Sequence, residues 1–133
     1  MYDRMMAGWT YWSYDPGGWG IWEAGEDGKY VRERENANDL VRPYPRSVAG
    51  MPRSFSYDPE TRVFELVFDP SPSSTLPTEI YVPATRHFAD GWSLTGCEES
   101  QGCTSSWNED TEILEILTPN QSARVEIRIT PDR

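Results

Sequence analysis

The second half of the chain alternates. In Ala123–Thr130, Ala123, Val125, Ile127 and Ile129 point one way, and Arg124, Glu126, Arg128 and Thr130 point the other. That is the two-residue period of a strand with one face in a core. Val63–Phe68 places Phe64, Leu66 and Phe68 on one face, with Glu65 between Val63 and Val67 on the other, so both faces are expected to be partly covered. Glu79–Val82 puts Ile80 and Val82 together, Trp92–Thr95 is a short strand, and Ile113–Leu117 is almost continuously apolar with Glu115 as its one charge. Turn-rich stretches separate them, Asp69-Pro70-Ser71-Pro72-Ser73-Ser74 and Thr118-Pro119-Asn120-Gln121, where Pro, Asn, Asp and Ser favour reversal. About five to eight short strands joined in this way read as an antiparallel β-sandwich.

The first half is patterned differently. Four of the six tryptophans fall within the first 22 residues. Trp9–Trp12 is aromatic enough to form a buried strand, which breaks into Pro16-Gly17-Gly18. A strand ending in Trp12, Tyr14 and Asp15 beside a glycine-rich loop suits sugar binding. Indole faces stack on pyranose C–H faces, and neighbouring polar groups bond the hydroxyls. The competing reading is a strand whose aromatics only fill a core. Gly17–Glu35 carries Glu23, Glu26, Asp27, Lys29, Arg32, Glu33, Arg34 and Glu35 with few apolar residues after Trp22, and reads as a long exposed loop. Its Trp19 and Trp22 either reach toward a ligand or anchor the loop. Pro45 ahead of Arg46–Ala49, with Gly50 behind, fits a short helix.

Charge and length narrow the classes. The chain has 133 residues and a net charge of −10, from 22 acidic and 12 basic residues. Lys29 is the only lysine, and the arginines form no stripe, which argues against nucleic acid or an anionic membrane as partner. No apolar run approaches the roughly 20 residues a membrane helix needs, so no transmembrane segment is expected. Met1–Arg4 lacks the basic-then-apolar order of a signal peptide.

Cys97 and Cys103 flank a polar, glycine-containing loop. Either they form a disulfide, stabilising by roughly 2 kcal/mol in the chain-entropy model and implying an oxidising compartment, or they are two free thiols. A metal site is not expected, because there is no second Cys pair and His87 is the sole histidine. His87 reads as a surface or edge residue, and no cofactor is implied.

The run Gly8–Asp15, then Leu40-Val41-Arg42-Pro43-Tyr44-Pro45-Arg46-Ser47-Val48-Ala49-Gly50, joined to Tyr57-Asp58-Pro59 and Glu79-Ile80-Tyr81-Val82-Pro83, resembles the C-terminal end of a glycoside hydrolase family 5 enzyme of the endoglycoceramidase type. The resemblance covers nearly the whole chain, more loosely over the acidic loop 97–112. It implies that residues 1–50 are a remnant of a (β/α)8 barrel, its last strand and short helices, and that 51–133 are the β-sandwich domain packing against that barrel. Trp12 then matches the tryptophan at the end of barrel strand 8 that forms the sugar platform. Trp12, Tyr14 and Trp19 are the substrate-binding candidates, since loops after barrel strands face the active site. The family's acid/base and nucleophile are two glutamates on earlier strands, about 5–5.5 Å apart in retaining enzymes. Neither has a counterpart here, and Glu23 matches neither motif. No catalytic residue is therefore assigned, and the parent is expected to be a secreted, extracellular glycosidase.

Three functions compete. One is the C-terminal part of a glycosidase that hydrolyses β-glycosidic bonds, of glycolipids in the intact protein. Another is a stand-alone β-sandwich carbohydrate-binding module. The third, compatible with the first, is a purely structural sandwich that supports the barrel and shapes one wall of its cleft.

Overall fold

The computed structural model describes residue 6 and residues 10–11, 15–16, 20–119 and 123–132. Trp9, Trp12, Tyr14 and Trp19 lie outside the described residues; of the expected buried strand Trp9–Trp12, Thr10 and Tyr11 are described, and both are exposed and belong to no strand.

The described residues are mainly β, and every strand pair among them is antiparallel. Strands β1 (Trp22–Ala24) and β2 (Tyr30–Glu33) form a hairpin, followed by a single helical turn, α1 (Ala37–Leu40). Then come β3 (Tyr44–Ser47), β4 (Gly50–Asp58), β5 (Val63–Pro70) and β6 (Thr78–Tyr81). A second helical turn, α2 (Ala84–His87), precedes β7 (Trp92–Thr95), β8 (Thr104–Asn108), β9 (Ile113–Leu117) and β10 (Val125–Pro131). One sheet has the order β4-β5-β10-β7 and the other β3-β6-β9-β8.

Alternation explains the core. β5 and β10 pair with Phe68 opposite Val125, Leu66 opposite Ile127 and Phe64 opposite Ile129. All six are buried, and with Ile80, Val82, Phe88, Leu114 and Ile116 they form one apolar cluster. The outward residues of the same strands pair by charge. Arg128 bonds Glu65, and Asp69 takes Arg124 at 2.9 Å and Arg53 at 2.5 Å. Hydrogen bonds from Arg124 and then Arg53 hold the Asp69 carboxyl below its ordinary range.

The chain crosses between sheets at both edges. On one side β3 leads through Val48-Ala49 into β4. On the other, β7 leads into β8 through a loop closed by the Cys97–Cys103 disulfide. At the opposite end of those two strands Trp92 and Trp107 meet edge to face, their centroids 5.3 Å apart. A covalent bond and an aromatic pair thus close the gap between two edge strands whose backbone bonds are satisfied on one side only.

Three expectations are corrected. Arg46–Ala49 is not a helix, because Tyr44–Ser47 is an edge strand, with Tyr44 opposite Tyr81 and Pro45 opposite Ile80. Proline is tolerated on an edge, where its missing N–H faces away from the ladder. Gly50 is not a helix terminator either. It opens β4 where a Cβ would run into the Asp69 carbonyl oxygen. The paired strands of the sandwich consequently start at Tyr44, ahead of residue 51. Finally, the segment read as a bare loop contains the β1–β2 hairpin, tied across its strands by Arg32 and Glu23 at 2.5 Å. Strand β8, with Thr104, Ser105 and Ser106 exposed, lies inside 97–112, a stretch expected to be an acidic loop.

Candidate functional site

The hairpin and α1 meet the sandwich at one end, where β4 turns into β5, β6 runs into α2 and β9 begins. Alanine and arginine favour a helical turn after Pro83, but no side chain caps it. Its hold on the sheet comes from Glu112, which immediately precedes β9 and sits in the left-handed region at φ 53. One carboxylate oxygen accepts the Thr85 N–H and the Thr85 hydroxyl, both at 2.9 Å. The other accepts the Tyr81 hydroxyl at 3.2 Å. The Glu112 carbonyl also accepts the Val82 N–H at 2.9 Å. Partial burial pushes the Glu112 carboxyl up, but the Thr85 and Tyr81 bonds together outweigh it and hold the group below its ordinary range. Tyr81 is pushed up, by burial first and then by the Glu112 charge.

These directions fix a pH dependence. A carboxyl depressed in the folded state stabilises the fold above the unfolded value of about 4.3, and that stabilisation is lost as pH falls through the lower folded value. Glu112→Gln should therefore melt below the parent chain at pH 7. The difference should shrink steadily on acidification below about pH 4. Melting curves of both proteins across that range check this, and a gap that stays constant would mean the charge contributes nothing.

On the other face of α2 two residues reach the preceding segment. Arg86 bonds Glu33 of β2 at 2.5 Å and Asn38 of α1 at 2.9 Å. Both members of the Arg86–Glu33 pair are mostly withdrawn from water, with side-chain exposures of 27% and 29%. His87 is buried, contrary to the expectation of a surface residue. Its Nε2 lies 2.5 Å from the Val41 carbonyl oxygen. A carbonyl only accepts, so Nε2 carries the proton. The ring packs on Tyr57 and Phe88, and the His87 carbonyl accepts Arg62 at 3.0 Å. Apart from Phe88, the partners that bury His87 come from distant chain, Val41 being 46 residues away, so the local sequence gives little sign of it.

The hairpin side of this joint is itself ordered by backbone bonds. The Arg34 N–H donates to Ile21 at 2.7 Å and the Arg34 guanidinium to Gly20 at 3.1 Å. Trp22 packs on Tyr30 with centroids 5.5 Å apart, which supports an anchoring use of Trp22. The Tyr11 hydroxyl accepts from Asn36 at 3.3 Å. Trp12, Tyr14 and Trp19 lie outside the described residues.

The described residues of this joint hold, orient and cover. Among them no group of three His, Cys, Asp or Glu residues is placed to bind a metal. No helix among them is long and apolar enough to cross a membrane. The sandwich aromatics make tilted or edge-on pairs, Tyr44 on Tyr81 at 49° and Trp92 on Trp107 at 79°, rather than a flat row for a sugar chain. Sequence reasoning did not single out Glu33, Asn38, Arg86 or Glu112. The one signal for α2 was its Pro83-Ala84 start between two strands.

Comparison with known proteins agrees with this architecture. Residues 42–130 match the model of the glycoside hydrolase family 5 C-terminal domain. Endoglycoceramidase I of Rhodococcus hoagii (strain 103S) is 33% identical over 92 residues, which are 69% of this chain and 16% of that protein. The solved structure of endo-glycoceramidase II from Rhodococcus sp. aligns over 99% of this chain and 27% of its own, with 32% identity and a TM-score of 0.75. Cryptococcus neoformans sterylglucosidase 1 aligns over 77% of this chain and 15% of its own, with a TM-score of 0.58 and 15% identity, a likeness of fold alone. The chain thus spans about a quarter or less of the relatives it matches. A family match that runs from just before β3 almost to the end of β10 shows that the chain belongs to the glycoside hydrolase family 5 C-terminal domain family, in its endoglycoceramidase-type form.

Proposed function

We propose that this chain is the closing segment and β-sandwich of a retaining glycosidase that cleaves β-glycosidic bonds of glycolipids. The sandwich supports the catalytic barrel. The observation that carries this is the alignment of 99% of the chain, hairpin segment included, with endo-glycoceramidase II. That enzyme is known as a ganglioside GM3 complex and as a lactosyl-enzyme intermediate. A glycosyl-enzyme intermediate belongs to the retaining mechanism, with one carboxyl as nucleophile and a second as acid and then base. In this reading both carboxyls come from outside the 133 residues. Residues 1–50 go with the barrel, apart from the strand Tyr44–Ser47 and the link 48–50 that carries it into β4, and 51–133 form the sandwich. Trp12, Tyr14 and Trp19 line the sugar site, with Trp12 as the stacking platform. The Cys97–Cys103 disulfide suits an oxidising, extracellular setting.

The test is a chimera in which this chain replaces the matching quarter of endo-glycoceramidase II, assayed on ganglioside GM3. The chain alone should show no turnover, and the chimera should work within about tenfold of the unmodified enzyme, ~1.4 kcal/mol of barrier. A chimera that is soluble and melts cooperatively yet is inert would overturn the reading.

A further inference from the structure

The Arg86–Glu33 and Arg86–Asn38 contacts do not stabilise either partner's own unit. Among the described residues β1 and β2 form a ladder with each other and with no third strand, and a lone two-stranded hairpin is marginal in water. The sandwich, for its part, has a complete core without Arg86. What Arg86 does is join the two, across 53 and 48 residues of chain. It is an arginine, with a planar fork that can serve two acceptors at once, and it uses one nitrogen on Glu33 and the other on Asn38. The helical turn that carries it is fastened to the sheet by the Glu112 carboxylate through Thr85. His87, the next residue, adds a bond to the Val41 carbonyl between α1 and β3. A continuous path of hydrogen bonds therefore runs from β9 through α2 to the hairpin.

We infer that α2 is a bracket by which the sandwich sets the position of the hairpin behind the aromatic segment, with Arg86 as its positioning residue. Arg86 acts by fixing β2 and α1, and through them the segment carrying Trp12, Tyr14 and Trp19. That last step rests on the proposed function, since only there does the segment line a sugar site. The bracket itself is a property of this chain.

The first arm measures backbone amide exchange in the 133-residue chain. Arg86→Ala should speed exchange of the β1–β2 amides at least about tenfold, because two charge-assisted bonds are lost. The β5 and β10 amides should be unchanged. Glu33→Gln, which leaves α2 intact, should move the hairpin in the same direction by less and serves if Arg86→Ala does not fold. The exchanged pair Glu33→Arg with Arg86→Glu should recover part of the protection. The second arm is kinetic and uses the chimera. There Arg86→Ala should raise KM several-fold with little change in kcat, as loss of substrate positioning does. Unchanged hairpin exchange, or exchange that rises equally in β5 and β10, would overturn the bracket. So would a loosened hairpin with unaltered KM in an active chimera. A chimera inert with Arg86 in place counts against the proposed function instead, and the exchange arm still decides the bracket.

Discussion

Phe64→Ala is expected to cost about 3–5 kcal/mol of folding stability. That is a large share of the roughly 5–15 kcal/mol a domain of this kind has in all. Phe64 is completely buried. It lies in β5 between Tyr57 of β4 and Ile129 of β10, register partners on both sides. Neither neighbour can move into the vacated volume without breaking its own ladder, so a cavity remains and its surface loses packing contacts. The loss should appear as a lower urea midpoint with an unchanged slope. Leu76→Ala is the comparison. Leu76 is 73% exposed, and its truncation should stay within about 0.5 kcal/mol. If Phe64→Ala loses less than about 1 kcal/mol, the sheets do not close on each other as the alternation of β5 and β10 requires.

The edge strand Trp92–Thr95 apart, the strands most legible in the sequence share one physical property. β5, β9 and β10 are strands with a neighbour on each side, and their inward faces are fully buried. Burial forces apolar residues onto every second position, and the pattern survives in the chain. Edge strands have no such constraint. β8 reads Thr-Ser-Ser-Trp-Asn, with Trp107 alone half-buried, and nothing in it alternates. β3 misled for a sharper reason. Proline first and glycine last suit a helix, and they equally suit an edge strand followed by a close backbone approach. Only the partner strand decides between them, and Tyr81 and Ile80 lie more than thirty residues downstream.

The joint was illegible in a different way. Arg86 sits in a polar stretch where an arginine usually faces water, and Glu33 is one of several charges in a segment that looks solvated. Their pairing depends on two pieces of chain 53 residues apart arriving at the same place. His87 likewise owes its burial to Tyr57, Phe88 and the Val41 carbonyl. What the sequence did carry was the resemblance, because a family resemblance integrates many positions at once. It located the sandwich and the segment before it, although no local signal marked the contact between them.

Gly96→Ala should be the most damaging single-atom change in the sandwich outside its core, costing more than about 3 kcal/mol. Two effects add. Gly96 has φ +87, a conformation in which a Cβ is strained by about 1 kcal/mol or more. That Cβ would also point into the carbonyl group of Glu126, well inside contact distance of its oxygen. A flexible side chain in its path could swing aside, but Glu126 is backbone of β10, paired with β5 along one edge and with β7 along the other. β10 cannot retreat without pulling Ile127 out of the core. The remaining relief is for β7 to lift away. That moves Cys97, the next residue, off the geometry its bond to Cys103 requires and opens the edge that Trp92 and Trp107 cover. Two measurements follow from that route. Urea unfolding should show the lost stability, and reduction of the disulfide by a mild thiol should be faster in the variant than in the parent chain. A loss below about 1 kcal/mol, with reduction no faster, would mean that β7 is loosely held and that the disulfide loop does not close this side of the sandwich.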